Sequence, residues 1–431
     1  MPILSETTKA PAAEVTASIA DDLDTLSTGS RTRFRVLALI SVGTMINYLD
    51  RAVLGIAAPS LTVDLHLSPA VLGIVFSAFS WAYVSAQLPG GWLLDRVGTR
   101  LTYFLAIFFW SLFTLGQGLA IGIKTLLGCL LGLGISEAPC FPTNSRVVAT
   151  WFPGRERAKA TAAYTVGEYL GFVCLGPLLF MVSRQFGWRW MFYSIGTVGL
   201  IFSGVWWRLY REPETSVKKD VATHRVTWAQ IRQLLQKRQV WGASIGQFAG
   251  NSTLVFFLTW FPTYLQKERH LVGVRAGFSA SVPFIAAACG VLLAGWASDA
   301  ILRRTGSCNL ARKLPIVLGL LGASTIVLAN YVAGSVAMIG IFSFAFFCQG
   351  MVGLGWTLIS EIAPRELIGI TGGVFNLASN LGGVITPIVI GAIIAATGSF
   401  YYALSFIAAL ALLGAFSYIF FMGNVERITL R

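Results

Sequence analysis

The sequence predicts an all-α membrane protein with twelve transmembrane helices in two pseudo-symmetric six-helix bundles. The first observation is composition: of 431 residues, 55% are hydrophobic and only 12% are charged, and the mean hydropathy is +0.70. A water-soluble chain carries about 25% charged residues. The second observation is a series of twelve apolar runs, each close to the 20 or so residues that cross a bilayer. The third is an internal repeat. Together they exclude a soluble enzyme and a disulfide-stapled secreted domain.

The apolar runs form two sets of six, and a polar stretch separates the sets. The runs lie near residues 34–58, 69–93, 101–120, 124–150, 158–182 and 188–210, and then near 241–265, 275–300, 312–332, 335–359, 367–395 and 400–423. The predicted domains are a disordered cytoplasmic tail (1–30), an N-terminal bundle (31–210), a cytoplasmic linker (211–240), a C-terminal bundle (241–425) and a short cytoplasmic tail (426–431). The first 30 residues lack the apolar core of a cleavable signal peptide.

The orientation follows from the distribution of Lys and Arg. Most of these residues lie in the tails and in the loops that share a side with the amino terminus. Cytoplasmic loops carry an excess of Lys and Arg. The sequence therefore predicts that both termini are cytoplasmic, and that the net charge of +13 reflects membrane topology rather than binding of nucleic acid.

Two motifs recur in the two halves. GGWLLDRVGTR, with Asp95, follows the second run of the first half, and GWASDAILRR, with Asp299, follows the second run of the second half. WFPGRERAKA and IAPRELIGI form another related pair. Parallel repeats of this kind are typical of transporters in which two bundles rock about a central site.

The motifs resemble those of a known family. GGWLLDRVGTR resembles the loop signature of the major facilitator superfamily. NYLDR (47–51), SWAYVSAQLPGGWLLDR and SEAPCFPTNSRVVATWFP (136–153) resemble the anion:cation symporter family within it. Its members include permeases for galactonate, hexuronate, glucarate and aromatic acids. The resemblance covers residues 31–425 and implies the major facilitator fold and transport by alternating access.

Five charged residues lie inside the apolar runs: Asp50, Arg51, Glu137, Arg146 and Glu168. A charge at membrane depth is costly and is by default a functional hypothesis. Adjacent helical residues point about 100° apart. One side chain of the Asp50–Arg51 pair therefore faces a cavity while the other contacts another span. Helix rise places Glu137 near the middle of the membrane.

The resemblance assigns roles to three of these residues. It implies that Asp50 and Glu137 couple protons and that Arg51 binds the substrate carboxylate, for which the planar fork of Arg is suited. Two simpler interpretations remain: a structural ion network at Asp50 and Arg51, and a plain Glu137–Arg51 ion pair without proton traffic. The sequence also departs from the family, because Leu130 stands where many members have Arg.

Other polar and aromatic residues complete the predicted substrate site. Glu168 is expected to hydrogen-bond the substrate, with proton handling or packing as alternatives. Tyr48, Tyr83, Trp356 and Asn380 are expected to bind hydroxyl groups or stack on the substrate, with packing as the alternative. Further polar candidates at cavity depth are Gln87, Asn251, Tyr264, Asn376 and Thr386.

A third group of charged residues lies at the cytoplasmic ends of the spans. Asp95, Arg96, Arg100, Glu156 and Asp299 are expected to act in gating and in the conformational switch. Arg146 is expected to act in gating or structural pairing rather than in substrate contact.

The predicted function is a proton-coupled symporter that imports an organic anion. A sugar acid (hexuronate, aldonate or aldarate) is the first choice, and an aromatic carboxylate or dicarboxylate is the alternative. A receptor would need a sizeable soluble output domain, and an intramembrane enzyme would need a Ser-His, His-Asp or metal-ligand cluster within the spans. We expect no enzyme activity and no cofactor other than the coupling proton. We expect a monomer in the bacterial inner membrane that binds no nucleic acid.

Overall fold

The computed structural model describes residues 31–152, 154–212, 228–271, 273–364 and 367–429. The predicted N-terminal tail and half of the predicted linker lie outside the described residues. The same is true of Arg365 and Glu366 of the second repeated motif and of the side chain of Arg155. The described chain is helical and contains no strand. The prediction of an all-α protein is therefore confirmed.

Six transmembrane elements form the first half and six form the second, with a short linker helix, Trp228–Leu235, between them. The first six are α1 (Arg31–Asp64), α2 (Pro69–Val97), α3 (Thr99–Gly118), α4 (Ile123–Glu137 and Cys140–Trp151), α5 (Gly154–Phe186) and α6 (Trp188–Leu209). The second six are α7 (Arg238–Thr259 and Phe261–Lys267), α8 (Gly273–Thr305), α9 (Cys308–Ala323, then a 3₁₀ segment Ser324–Tyr331), α10 (Ser335–Met351 and Gly355–Ile362), α11 (Ile368–Thr397) and α12 (Tyr401–Phe416, then Ser417–Phe421).

In the described part of the chain, ten segments are long and apolar enough to cross a membrane by length and composition. The other two, α6 and α7, are of similar length but less apolar. They pack with the rest, α6 against α3 and α7 against α11. The chain is thus a multi-pass membrane protein. We call the side at which α1 begins the amino-terminal side, and the opposite side the far side.

Several helices differ from the predicted runs. The first element extends to Asp64 rather than to residue 58, and α4, predicted as one span, breaks between Glu137 and Cys140. Pro139 accounts for that break, because its ring removes an N–H donor and clashes with the preceding turn. The break places the second piece of α4, which carries Arg146, after Glu137 on a separate helical segment.

Close packing of helices seals the two halves against each other on the far side. Gly55 of α1 lies against the backbone of Leu258 in α7, and Gly73 of α2 lies against the backbone of Pro387 in α11. Small residues let helices approach this closely. Farther along the interface, the rings of Phe172 (α5) and Phe284 (α8) stack with centroids 4.0 Å apart.

The amino-terminal side is open by comparison. In the described chain, the second piece of α4 makes no extensive contact with the second piece of α10. Trp356, on that piece of α10, is 47% exposed. Gly372 and Gly373, near the start of α11, face open space. The space between the halves therefore leads toward the amino-terminal side.

Candidate functional site

A cavity of about 680 Å³, part of it continuous with solvent, lies between the two halves. It is bounded by α1, α2 and α4 of the first half and by α7 and α11 of the second. The lining residues include three of the predicted site residues on α1 (Tyr48, Asp50 and Arg51), together with Phe79, Ser80, Leu130, Asn251 and Asn380. Leu130 is almost fully buried, so this position adds apolar surface to the wall where a cation is common in the resembled family.

Arg51 is bound by one carboxylate and surrounded by aromatic rings. Its Nε donates a hydrogen bond to Oε2 of Glu137 at 3.0 Å. The guanidinium carbon lies 4.9, 4.5 and 4.9 Å from the ring centroids of Tyr48, Phe79 and Tyr83. Cation–π attraction of this kind is stronger where water is excluded. The rings therefore hold the guanidinium in place at the cavity wall.

The Arg51–Glu137 pair leaves hydrogen-bonding capacity unused. Glu137 has no exposed surface, and Arg51 is 16% exposed. Nη2 of Arg51 and Oε1 of Glu137 are buried and have no hydrogen-bond partner among the described residues. A guanidinium offers five donors in a fork that matches a carboxylate. The arrangement can therefore accept a second carboxylate on Arg51.

Asp50 points away from Arg51, as expected for neighbours on a helix. Thr114 of α3 donates to its Oδ1 at 3.0 Å, and the side chain is 1% exposed. Its Oδ2 has no partner in the described chain. Asn47 and Gln117, on α1 and α3, are also fully buried with unpartnered amide groups. Asp50 thus sits in a polar region inside the first half and hydrogen-bonds α3, whereas Arg51 pairs with α4.

Glu168 and Tyr48 form a second polar contact near the ion pair. Glu168 lies on α5, and its carboxylate is close enough to the Tyr48 hydroxyl to interact with it. Tyr48 also packs edge-on against Phe141 of α4, with centroids 6.1 Å apart. Glu168 therefore reaches the cavity through Tyr48 rather than by lining it.

Asn380 belongs to a chain of amides that joins the halves. Its Nδ2 donates to Oδ1 of Asn376 at 3.0 Å and to the Asn376 carbonyl at 2.9 Å. Asn376 in turn donates to Oε1 of Gln87, on α2, at 2.7 Å. Asn251 is occupied elsewhere, because it donates to the carbonyl of Ser379 at 2.7 Å. Asn380 and Asn251 line the cavity and supply polar surface on its second-half wall, and Gln87 and Asn376 lie behind Asn380.

Trp356 is not brought to the cavity. It lies on the second piece of α10 and packs edge-on against Phe375, with centroids 5.0 Å apart. Its exposed face is on the amino-terminal side of the molecule, where the halves are separated. The aromatic residues that do surround Arg51 are those of α1 and α2.

The predicted gating residues lie on the amino-terminal side of the molecule and pair within their own half. Arg146 contacts Asp95 at 3.1 Å, and Arg33 contacts Glu156 at 3.0 Å. The other contacts are those of Arg100 with the carbonyl of Trp207, of Arg96 with the ring of Trp92 at 5.1 Å, and of Asp299 with Arg312 at 3.5 Å.

Sequence reasoning missed two residues that contact predicted site residues, Arg312 and Thr114. Arg312 joins Asp299 to Glu361 at 3.4 Å and donates to Ser298, so it connects α8, α9 and α10. An Arg at the start of an apolar run, one loop after Asp299, was the available signal. Thr114 was also missed, because a single hydroxyl in an apolar span carries no signal of its partner.

The described residues contain no group of three or more His, Cys, Asp and Glu side chains that could hold a metal ion. The six cysteines are all unpaired. The chemistry that the cavity offers is therefore that of an Arg, two buried acids, aromatic rings and amides.

Comparison with known proteins gives one family match over most of the chain. The model of the Major Facilitator Superfamily matches residues 40–387. The "D-galactonate transporter" of Escherichia coli O6:H1 is 42% identical to this chain, over 92% of the chain and 97% of the relative. The "Probable galactarate/D-glucarate transporter GudP" of Escherichia coli K12 is 38% identical, over 96% and 99%. The "Hexuronate transporter" of Bacillus subtilis is 31% identical, over 91% and 95%.

Solved structures match the fold at lower identity. A D-xylose-proton symporter superposes with a TM-score of 0.74 at 16% identity, over 92% of this chain and 99% of the other. A bacterial homologue of the human lysosomal transporter Spinster, in an inward-facing and unoccupied conformation, gives 0.68 at 20% identity, over 91% and 95%. These similarities concern the architecture alone.

Proposed function

The chain belongs to the Major Facilitator Superfamily, and from that premise we propose that it imports a sugar acid together with protons by alternating access. Its close relatives are named as transporters and not as enzymes, in agreement with the expectation that this chain is not an enzyme. The relatives named above are transporters of galactonate, of galactarate or glucarate, and of hexuronate. These names support a sugar acid as the substrate class.

The observation that carries the proposal is the half-paired guanidinium of Arg51 at the wall of the cavity. Its Nη2 is buried and unpartnered, while its Nε is bound to Glu137. The Arg51 side chain is 16% exposed and lines the cavity. The carboxylate of the substrate binds this exposed part of the guanidinium, and the surrounding rings exclude water from the contact. Charge-assisted bidentate bonds are among the strong hydrogen bonds of proteins.

Proton coupling is assigned to Glu137 and Asp50. A carboxylate buried this deeply is stable when charged only if a cation or donors compensate it. Protonation of Glu137 removes the reason for its pairing with Arg51, so the guanidinium becomes available to the substrate. Asp50, which has one oxygen bound to Thr114 and one free, accepts the second proton. Binding of substrate and binding of protons thereby become linked.

The hydroxyl groups of the substrate face the polar wall opposite Arg51. Asn380 lines that wall, and Tyr48, Tyr83 and Glu168 flank the carboxylate end. Trp356 reaches the substrate only if the halves close on the amino-terminal side. An aromatic acid would satisfy the rings but leave the amides of the polar wall unpaired. A sugar acid satisfies both.

The amino-terminal side is assigned to the cytoplasm of a bacterial inner membrane, with both termini inside. With this orientation the cavity opens inward and the far side is closed to the periplasm. The pairs Asp95–Arg146 and Asp299–Arg312 then lie at the cytoplasmic entrance. Arg96, Arg100 and Glu156 lie at the same level and control how the halves separate and close there.

The test is binding followed by transport with the purified full-length chain. A thermal-shift panel of sugar acids, aromatic acids and dicarboxylates identifies the ligand, because a ligand that binds only the native state raises its stability. The best ligand is then supplied to proteoliposomes with an external pH electrode. We expect a sugar acid to stabilise the protein and its uptake to make the external medium more alkaline. Stabilisation only by aromatic acids would refute the substrate class, and uptake without alkalinisation would refute the coupling.

A further inference from the structure

The hydrogen-bonded amides of Gln87, Asn376 and Asn380 fix each other's orientation as well as their positions. Gln87 belongs to α2 in the first half, and the two asparagines belong to α11 in the second. We propose that Gln87 is a positioning residue that holds the Asn376 amide, and through it the Asn380 amide, so that Asn380 presents a hydrogen-bond acceptor to a hydroxyl group of the substrate. The inference rests on the proposed function, since it concerns the same cavity.

The polarity of the chain follows from one backbone atom. A carbonyl oxygen only accepts hydrogen bonds, so the Asn380 atom that lies 2.9 Å from the Asn376 carbonyl must be the amide nitrogen. That nitrogen also lies 3.0 Å from the Asn376 side chain, which must therefore turn its oxygen toward it. The nitrogen of Asn376 then faces Gln87 and requires the oxygen of Gln87, at 2.7 Å. Each amide orientation is thus determined by the one before it.

The last oxygen of this series of amides, Oδ1 of Asn380, is available to the cavity. Oδ1 of Asn380 has no hydrogen-bond partner among the described residues, and it is not one of the buried unpartnered atoms. Asn380 lines the cavity that Arg51 also lines. An amide oxygen accepts from a hydroxyl donor and offers nothing to a carboxylate, which also only accepts. The substrate therefore binds in one orientation, with its carboxylate at Arg51 and a hydroxyl at Asn380.

Gln87 anchors this orientation from the other half. Its oxygen holds the Asn376 nitrogen at 2.7 Å. Without this bond the Asn376 side chain is free to move, and Asn380 loses the fixed side-chain acceptor that holds its own amide. Gln87 lies one helical turn from Tyr83, whose ring contacts Arg51. Helical residues four apart share a face. The same face of α2 therefore supports the carboxylate site and the hydroxyl site.

The experiment compares two probes, D-galactonate and hexanoate, which has a carboxylate and six carbons but no hydroxyl groups. Titration calorimetry gives the dissociation constant of hexanoate divided by that of D-galactonate for the wild type and for Gln87→Leu, Gln87→Glu and Ser85→Ala. For Gln87→Leu we expect the ratio to fall about 2- to 12-fold, the range for one neutral hydrogen bond. Gln87→Glu keeps an acceptor for Asn376 and should retain the ratio. Ser85→Ala changes an exposed residue of α2 and serves as the control.

The outcomes separate this inference from the proposed function. A wild-type ratio that persists in Gln87→Leu, or an equal loss in Gln87→Glu and Gln87→Leu, would overturn the role of Gln87 and leave sugar-acid binding intact. A wild type that binds neither probe would refute the proposed function itself, and the inference with it. The thermal stability of each variant without ligand shows whether Gln87→Leu folds as the wild type does.

Discussion

At the scale of single residues, Arg51 combines two kinds of binding that a lysine could not. Its flat guanidinium lies among three rings, and its Nε donates to Glu137 while the side chain lines the cavity. A lysine ammonium is a compact point charge without the planar fork. The residue type at position 51 therefore matters beyond its charge.

Arg51→Lys should weaken binding of the sugar acid about 10- to 150-fold, the equivalent of one lost hydrogen bond to a charged group. The charge is kept, but the second donor to the carboxylate is lost. Titration calorimetry with the best ligand from the panel checks this. Arg208→Lys, at an exposed position on α6, is the matched control. Near-normal affinity in Arg51→Lys would remove Arg51 from the substrate site.

Glu137→Gln should abolish accumulation driven by a proton gradient while substrate exchange continues. Glutamine has the shape of the protonated acid and cannot release a proton. Net transport, which requires proton release, therefore stops, whereas substrate exchange does not require it and continues. Uptake under an imposed pH gradient and counterflow of labelled substrate, measured in the same proteoliposomes, separate the two activities. An equal loss of both would make Glu137 a binding residue and not a proton carrier.

The sequence allowed part of this site to be predicted. Charges in apolar runs are rare enough to single out Asp50, Arg51 and Glu137, and helix geometry alone separates the first two. The contacts could not be predicted, because they depend on which helices are neighbours. Thr114 beside Asp50 and the amide chain from Gln87 to Asn380 are pairings between distant parts of the chain.

At the scale of helices, α2 and α11 form a close contact between the halves on the far side. A Cβ atom added at Gly73 would lie 2.5 Å from the carbonyl oxygen of Pro387. Backbone atoms of a packed helix cannot move aside without shifting the whole element. A larger residue at position 73 therefore acts on the closure of the far side and not on the ligand.

Gly73→Val should push the far ends of the halves apart. Spin labels at Leu119→Cys and Val336→Cys, both exposed on the far side, report the distance between them. The labels are placed in a chain whose six native cysteines have been replaced. Gly128→Val is the matched control, because Gly128 lies near the far end of α4 and faces open space. An unchanged distance distribution in Gly73→Val would show that the α2–α11 contact does not hold the far side closed.

The sequence predicted the existence of the helices better than their ends and breaks. The length of an apolar run identifies a span, but the ends of a helix that extend beyond the hydrocarbon need not be apolar. For this reason α1 continues six residues beyond its predicted end at 58. The break in α4 has a proline as its cause. The change to 3₁₀ geometry at Val352–Leu354 in α10 contains no proline, and we did not predict it.

At the scale of the whole molecule, the distribution of charge and the open side of the cavity together indicate which side of the membrane the cavity faces. The cavity leads to the amino-terminal side, and that side carries most of the Lys and Arg. If positive residues mark the cytoplasm, the structure is open to the cytoplasm and closed to the periplasm. Reversing the orientation would turn the same structure into an outward-open state.

Labelling of single cysteines in intact bacterial cells decides between these orientations. Ile121 is 86% exposed on the far side, and Trp228 is 77% exposed at the linker helix. With a membrane-impermeant maleimide we expect Ile121→Cys to react in intact cells and Trp228→Cys only after permeabilisation. The native cysteines are absent from both variants. The opposite pattern would place the amino terminus outside the cell. Arg51 and Glu137 would then face the external medium in this structure, and protons would enter from the side that the proposal now assigns to their release.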